Sequence, residues 1–527
     1  MDNKETGSYY TPYKLIDFMA RYLKKNQQNF ENVLEPSAGD GRFLSVLLPE
    51  SNAVKAIELF EDKVKGIQTS YNSSKLIVQR ENFLDYAKNS EEKYSLIIGN
   101  PPYINPKLME AADLKKAKEL CELENVPASV MQNMWLAFVV GAIRLLRDDG
   151  TIFFVLPMEF LQVQYAQKLR EHLEKKFNTI HILSFQSLIF SEIEQEVCLV
   201  YMTNQKQEKS YILYEIYKDT EQEKAIFANT IKKNKPLKKW SNAVLSDEDI
   251  ALLREKSLNY TSVAELGESA PGIVTGGNKY FIIKESKKKE YKCEKYVVPI
   301  LQKSSYISES TIRIDDKLMD ELRKKDKPIY LLNLSKVGEK DMPRELVLYL
   351  DKIREEETNG IKLINRFKCA NRKPWYGVPI VNKGDVVFFK RYHIVPRVYI
   401  NEAEVHTTDA GYHIRLHVEC EKSSFVFCFY NSLTLAQCEF QGRYYGGGVG
   451  ELVPSEFKEL RIPYRKIKKK DIDKLDRMFR DNVELEKIVA FVNEKTIGQD
   501  MKVEEVEKIE KIRKMLIQRR CRKENSV

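Results

Sequence analysis

The residues best suited to chemistry lie in Tyr94 to Tyr103, YSLIIGNPPY, where an apolar run ends in an amide, two prolines and an aromatic ring. Pro101 and Pro102 have no backbone N–H, so they end any hydrogen-bonded ladder and leave the neighbouring carbonyls open to a ligand. Such a set suits a flat, conjugated amine such as adenine N6, whose lone pair is delocalised into the ring and poorly nucleophilic. Two acceptors, the Asn100 side-chain oxygen and the Pro101 carbonyl, favour a pyramidal nitrogen with its lone pair directed at an electrophile, while Tyr103 stacks on the base. No general base is needed before attack. The same tetrapeptide also reads as a proline turn closing a core strand, and short motifs recur by chance.

These groups must be held at the end of a strand. Ser95 to Ile98 reads as a parallel strand covered on both faces, with Gly99 turning the chain. Open α/β sheets bind ligands beyond the carboxyl ends of their strands, where Asn100 would lie. Upstream, NVLEPSAGDGRFLSVLL predicts a strand through Leu34, a loop of small residues and a helix from near Arg42. Gly39 and Gly41 allow a close backbone approach, and the helix start offers free N–H groups. The loop lacks the Lys-Ser/Thr of a phosphate-binding loop and Glu35 would repel phosphate, so an uncharged or cationic cofactor fits better. Seventeen residues past Gly41 the strand AVKAIEL ends at Glu58, the usual place of an acid that holds a ribose hydroxyl pair, and Leu59 is set to pack on a ring. LIVQRENFLDY gives a third strand, ending near Asn82 and Phe83. Strand-helix alternation of this kind predicts a doubly wound sheet. In GSYYTP, Thr11 is a natural N-cap and Pro12 a natural first helical residue; the loop before them either folds over a cofactor or simply starts the helix.

In that order, GSYYTP, EPSAGDGRF, AIEL, ENFLDY and NPPY resemble the motif series of the gamma-class, TaqI-like adenine-N6 DNA methyltransferases of restriction-modification systems. The resemblance covers the first hundred residues. It implies S-adenosylmethionine as cofactor, double-stranded DNA as partner and methyl transfer to an adenine flipped out of the duplex. It also implies that Tyr10, Thr11 and Pro12 close over the methionine end of the cofactor. Glu35, Ser37 and Gly39 then line its methionine and ribose region, Glu58 holds the ribose hydroxyls and Leu59 packs on the adenine. Asn82 and Phe83 match a position where the family commonly has Asp-Phe, which reads the cofactor's adenine. Asn is a departure, able to accept from the amine only without charge, and Asp85 is the fallback. Asn100, Pro101, Pro102 and Tyr103 carry the catalytic role. LIFSEIEQEVCLVYM (188–202) reads as a hairpin that brings Phe190 against the flipped base, the alternative being a core phenylalanine.

The remainder bounds the architecture. A chain of 527 residues with 43% hydrophobic content implies more than one domain, and a net charge of +9 suits a polyanionic partner. Eight cysteines without a CxxC pair suggest reduced thiols, and the absence of long apolar runs and of signal-peptide architecture leads to the expectation of a cytoplasmic bacterial or archaeal protein with no membrane partner. Residues 104–132 are polar and poorly periodic, expected to order on DNA, and IKKNKPLKKW reads as a solvated linker or backbone contact. The expected division is a catalytic domain over 1–245 with a Rossmann-like class I methyltransferase sheet, then over 246–527 a β-rich α+β target-recognition domain with C-terminal helices from Asp471 to Arg520. PGIVTGGNKYF and RYYGGGVGELVPSE resemble segments of such recognition domains. Arg372, Lys373, Trp375, Arg443 and Tyr444 are the candidate DNA contacts, and QRRCRKENSV is expected to fray and track the phosphates. His413, His417 and Cys420 lie close in sequence but make a poor zinc site, so no metal is expected. The chain starts near the first cofactor motif and carries no acidic-Lys nuclease cluster, which leads to the expectation of a separate cognate endonuclease. The rival readings are a methyltransferase of RNA or protein and a non-catalytic DNA-binding specificity subunit.

Overall fold

The computed structural model describes residues 10–26, 30–106, 108–187, 189–190, 196–204, 210–233, 236–307, 310–358 and 360–521. Gly7 to Tyr9, Leu188 and the basic residues 522–527 of the sequence motifs therefore lie outside the described residues. The chain divides into two compact units. One is Met1–Ile250 with Tyr444–Gly448 and Gln518–Val527; the other is Ala251–Arg443 with Val449–Ile517.

The first unit is built on a nine-stranded sheet. Its elements are α1 (Tyr13–Asn26), β1 (Phe30–Glu35), α2 (Leu44–Glu50), β2 (Ser51–Glu58), α3 (Glu61–Ser70), β3 (Leu76–Arg80), α4 (Phe83–Asn89), β4 (Tyr94–Gly99), α5 (Ala111–Leu123), α6 (Met134–Leu145), β5 (Leu146–Pro157), α7 (Gln167–Lys176), β6 (Thr179–Phe185), β7 (Val197–Thr203), β8 (Tyr211–Tyr217) and β9 (Phe227–Lys232). The strand order is 3-2-1-4-5-7-6-8-9. Strands 1 to 5 run parallel, and β7 is antiparallel to both β5 and β6. Because β2 leaves on one side of β1 and β4 on the other, the crevice at the carboxyl ends of β1 and β4 is the topological switch point.

Local chemistry explains these elements. β4 is apolar because it is covered on both faces, with Leu96, Ile97 and Ile98 fully buried between β1 and β5. α6 is buried all round, which its unbroken apolar sequence requires. α1 presents Leu15, Ile16, Phe18, Met19, Tyr22 and Leu23 to the core, and its last turn carries Lys24 and Lys25, favourable at the negative end of the helix.

Several expectations need correction. α1 starts one residue later than predicted, the Pro12 carbonyl accepting from Leu15 N and Ile16 N at 2.9 and 3.2 Å. Residues 104–132 are not structureless: α5 packs beside α4 and α6, and a 3-10 turn covers Ala128–Val130. The sequence NMWLAFVVGAIRLL predicts a helix that runs on to the Asp-Asp-Gly of residues 148–150, whereas α6 ends at Leu145 and β5 starts at Leu146, with a register shift between Tyr94 and Leu96. β7 pairs antiparallel with β5 and β6, and most of the segment from Leu188 expected to form a hairpin with it lies outside the described residues. Within IKKNKPLKKW (231–240), Ile231 and Lys232 end β9 and Leu237 is buried, so the described part of this segment is not wholly a solvated linker. Trp240, fully buried, donates from Nε1 to Glu174 Oε1 at 2.6 Å.

The second unit mixes small sheets with helices. A five-stranded sheet runs in the order Gly267–Pro271, Gly411–Leu416, Val386–Phe389, Val398–Asn401, Arg313–Ile314, and a four-stranded one runs Ile282–Ile283, Tyr330–Leu332, Val297–Leu301, His406–Thr407. Helices Lys469–Arg480, Leu485–Lys495 and Val503–Cys521 realise the expected C-terminal helical pattern. His413 is structural here: its Nε2 accepts from Thr407 N at 2.8 Å, its Nδ1 lies 3.1 Å from Asn382 O, and burial lowers its pKa.

Candidate active site

The loop after β1 is shaped by its glycines. Gly39 and Gly41 have φ of +58° and +80°, values that a β-carbon disfavours. A methyl at Gly41 would also meet Ile67, Leu44 and Tyr71 side-chain atoms at 3.1–3.2 Å. The turn lets Gly39 N donate to Glu58 Oε2 at 2.8 Å, while the other Glu58 oxygen accepts from Phe60 N at 2.9 Å. Burial pushes the Glu58 carboxyl above the usual range, opposed by the N–H groups of Phe60, Gly39 and Leu59. Each oxygen retains lone pairs beyond those backbone bonds.

These groups border a cavity of about 370 Å³ at the switch point. Of the ten cofactor residues expected from sequence, Tyr10, Thr11, Glu35, Ser37, Gly39, Glu58, Leu59, Asn82 and Phe83 line it; Pro12 does not. Tyr10 sits against Gly39, with Arg42 and Lys63 each 5.1 Å from its ring centroid. Thr11 is buried, and its carbonyl accepts from Arg42 Nη1 at 3.2 Å. Phe83 forms an apolar floor, stacked on Phe138 at 4.6 Å. Leu59 and Phe60 are exposed beside it.

Glu35 is the feature that selects a ligand. It is 1% exposed, its Oε2 has no hydrogen-bond partner, and burial, with Glu58 and Asp40 adding repulsion, raises its pKa well above the carboxylate range. A buried carboxylate of this kind is stabilised by an incoming cation and destabilised by a phosphate. The residues therefore fit S-adenosylmethionine, whose methionine end carries a sulfonium and an ammonium.

Asn100 and Pro102 line the same cavity from the end of β4. Ser37 Oγ donates to the Asn100 carbonyl at 3.2 Å. Pro101 is buried, and Tyr103, half-buried, donates from its hydroxyl to Val155 O of β5 at 3.2 Å. Tyr103 faces a second cavity of about 560 Å³, lined also by Asn133, Trp135, Glu159 and Tyr165. Phe190 lines neither cavity; it is 7% exposed in the apolar cluster against which Tyr103 packs.

Glu159, Asn133 and Asp113 were not singled out by sequence. Glu159 follows Pro157 at the end of β5, and because β5 neighbours β4 its position there is the signal that would have found it. Burial raises its pKa, opposed by the Tyr165 hydroxyl, which donates to it at 3.1 Å. Its loop is fixed by buried Arg170, whose Nη1 donates to Phe160 O and Val163 O at 2.7 and 3.1 Å. Asn133 Oδ1 and Trp135 Nε1 are buried without hydrogen-bond partners.

The candidate DNA residues are not one cluster of open cations. Arg372 donates to Thr275 O and Val274 O at 2.6 and 2.7 Å, fastening the PGIVTGG loop. Arg443 pairs with Glu456 at 3.4 Å and Trp375 is half-buried near Phe281, while Lys373 is exposed. Tyr444 is 3% exposed, its ring under Arg519 at 4.9 Å, which makes it a packing residue in this structure. The expectation that QRRCRKENSV frays is corrected for Arg519 and Arg520: both are buried, and Arg519 donates to Ser241 O and Asn242 Oδ1 at 3.0 and 2.7 Å.

Fold and cavity together define an S-adenosylmethionine-dependent methyltransferase with a Rossmann-like sheet. Residues 22–190 match the model of the Eco57I restriction-modification methylases, and residues 237–497 match that of the C-terminal domain of the type II methyltransferase M.Eco57I. The chain belongs to this Eco57I-type group of restriction-modification methyltransferases. It is 25% identical to the type II methyltransferase M.AccI of Acinetobacter calcoaceticus over 405 residues, 71% of this chain and 69% of that protein. It is also 25% identical to the type II restriction enzyme and methyltransferase RM.Eco57I of Escherichia coli over 202 residues, 37% of this chain but only 20% of that protein. In fold it is similar to the type IIL restriction-modification enzyme MmeI, solved in complex with DNA, with a TM-score of 0.59 at 12% identity over 96% of this chain and 75% of that one. Among the described residues, no helix is long and apolar enough to cross a membrane.

Proposed function

We propose that this chain transfers a methyl group to N6 of an adenine flipped out of duplex DNA. The observation that supports this most is that the Asn-Pro-Pro-Tyr turn borders two cavities: Asn100 and Pro102 line the one at the switch point, and Tyr103 lines the other. A stacked, paired amine cannot reach a buried donor, so the base must leave the helix. S-adenosylmethionine, when bound, supplies a methyl group on a cationic sulfur.

The chain's own residues do the rest. Asn100 Oδ1 and the Pro101 carbonyl accept the two N–H bonds of the amine and direct its lone pair toward the first cavity. Ser37 positions Asn100 through its carbonyl, and Tyr103, held by Val155, stacks on the base. Phe190 belongs to the apolar cluster against which Tyr103 packs, and so backs that ring rather than facing the base. Because Ser37 holds the Asn100 backbone before the base arrives, less reorganisation remains in the transition state. Tyr165 and Glu159 bring polar groups to the second cavity for the ring edge. The second unit is the target-recognition domain, with Lys373, the loop fastened by Arg372, Trp375 and Arg443 contributing to DNA contact. In this reading a separate restriction endonuclease cleaves the same site when unmethylated, and the protein works in the cytoplasm.

The test is incubation of the purified chain with isotopically labelled S-adenosylmethionine and unmethylated duplex DNA, followed by nucleoside mass spectrometry. Labelled N6-methyladenine, absent with Asn100→Ala, is expected. Label in cytosine instead would overturn the choice of base, and label only in RNA or protein would overturn the choice of substrate.

A further inference from the structure

The cofactor cavity has a wall that the motif series does not predict. α5, from the segment after Asn-Pro-Pro-Tyr, brings Asp113 to its lining beside Asn82 and Phe83, with Leu108 and Met109 next to it. Asn82 is occupied on both sides of its amide. Its Oδ1 accepts from Leu84 N at 2.9 Å as the N-cap of α4, and its Nδ2 donates to Asp113 Oδ1 at 2.9 Å. The amide therefore holds a carboxylate at the cavity edge and turns its own donors toward it.

An adenine amine can only donate, so its partner must accept. A carboxylate accepts about four hydrogen bonds over its two oxygens, whereas the Asn82 oxygen already serves the helix cap. Asp85, the other nearby acid, is not part of the lining and pairs with Lys116 at 2.6 Å. Lys116 Nζ also lies 3.6 Å from Asp113 Oδ1, so one cation borders both acids. We propose that Asp113, oriented by Asn82, is the acceptor for the exocyclic amine of the cofactor's adenine. The charged acceptor that the motif resemblance leads one to expect at position 82 is then supplied from α5. This rests on S-adenosylmethionine being the cofactor but not on which base is methylated.

Calorimetric titration without DNA tests it, using S-adenosylhomocysteine and its inosine analogue, in which a carbonyl replaces the amine. The wild-type chain is expected to prefer the adenine compound by roughly tenfold or more, the worth of one hydrogen bond to a charged group. Asp113→Asn should weaken that compound and collapse the preference, and the Asn82→Asp/Asp113→Asn exchange should restore it. A merely structural role would lower both affinities together and leave their ratio unchanged. An unchanged preference in Asp113→Asn overturns the proposal, while failure of the wild-type chain to bind S-adenosylhomocysteine would overturn the cofactor assignment beneath it.

Discussion

Ser37 Oγ donates to the backbone carbonyl of Asn100 at 3.2 Å, so the loop that borders the cofactor cavity is fastened to the turn that carries the acceptors. One short hydroxyl thus ties two motifs 63 residues apart. Ser37→Ala should lower methylation several-fold with a smaller change in cofactor affinity, because a positioning bond of this kind is worth about 1 kcal/mol. Steady-state kinetics with S-adenosylmethionine varied would read it; an equal loss in both would place Ser37 only in the binding pocket.

Glu35 makes stability depend on pH in a fixed direction. Its folded-state pKa is raised by burial and by Glu58 and Asp40, so it favours folding fully only while protonated, below its unfolded value, and that contribution is lost as pH rises through the folded value. Glu35→Gln should therefore raise the melting temperature of the cofactor-free protein at neutral pH, by roughly 2–4 °C for each kcal/mol relieved. The gain should shrink toward pH 4. The same variant should bind a cationic cofactor more weakly, and wild type should release a proton on binding. Calorimetry in buffers of different ionisation enthalpy would detect that proton, and its absence would count against Glu35 facing the cation.

Gly41→Ala should destabilise the first unit by roughly 1–2 kcal/mol. The residue sits at φ +80°, where an L side chain costs about that much, and the added methyl lies 3.1 Å from Ile67. Thermal denaturation would measure it, and a neutral result would mean that the loop relaxes to another conformation.

Arg519→Ala should destabilise the first unit by roughly 2–3 kcal/mol, since it removes charged hydrogen bonds to Ser241 O and Asn242 Oδ1 and the cation over Tyr444. If the residue served mainly as a phosphate contact, the variant would instead keep its stability and lose DNA affinity.

The site was legible where chemistry constrains residue type locally. Gly39, Gly41 and Glu58 announce themselves because positive φ admits few side chains and because an acid at the end of β2 has a fixed distance from the loop. β4 is readable from its apolar run and the prolines that end it. Asp113 was not, because α5 is a polar helix whose partner, Asn82, lies 31 residues earlier. Glu159 was hidden because only sheet order brings the end of β5 beside β4. Trp240, Arg519 and Arg520 looked like linker or frayed residues, since local charge density says nothing about which side chains fold back onto buried oxygens.

In the proposed function the Asn100 turn directs methyl transfer to adenine. Single-molecule modification sequencing of DNA from a methylation-deficient host expressing this chain tests it most directly, with Asn100→Ala alongside. N6-methyladenine is expected at one recurring short sequence, falling by roughly a hundredfold or more in the variant while its binding of S-adenosylhomocysteine persists. Undiminished methylation by Asn100→Ala, or modification confined to another base, would contradict it.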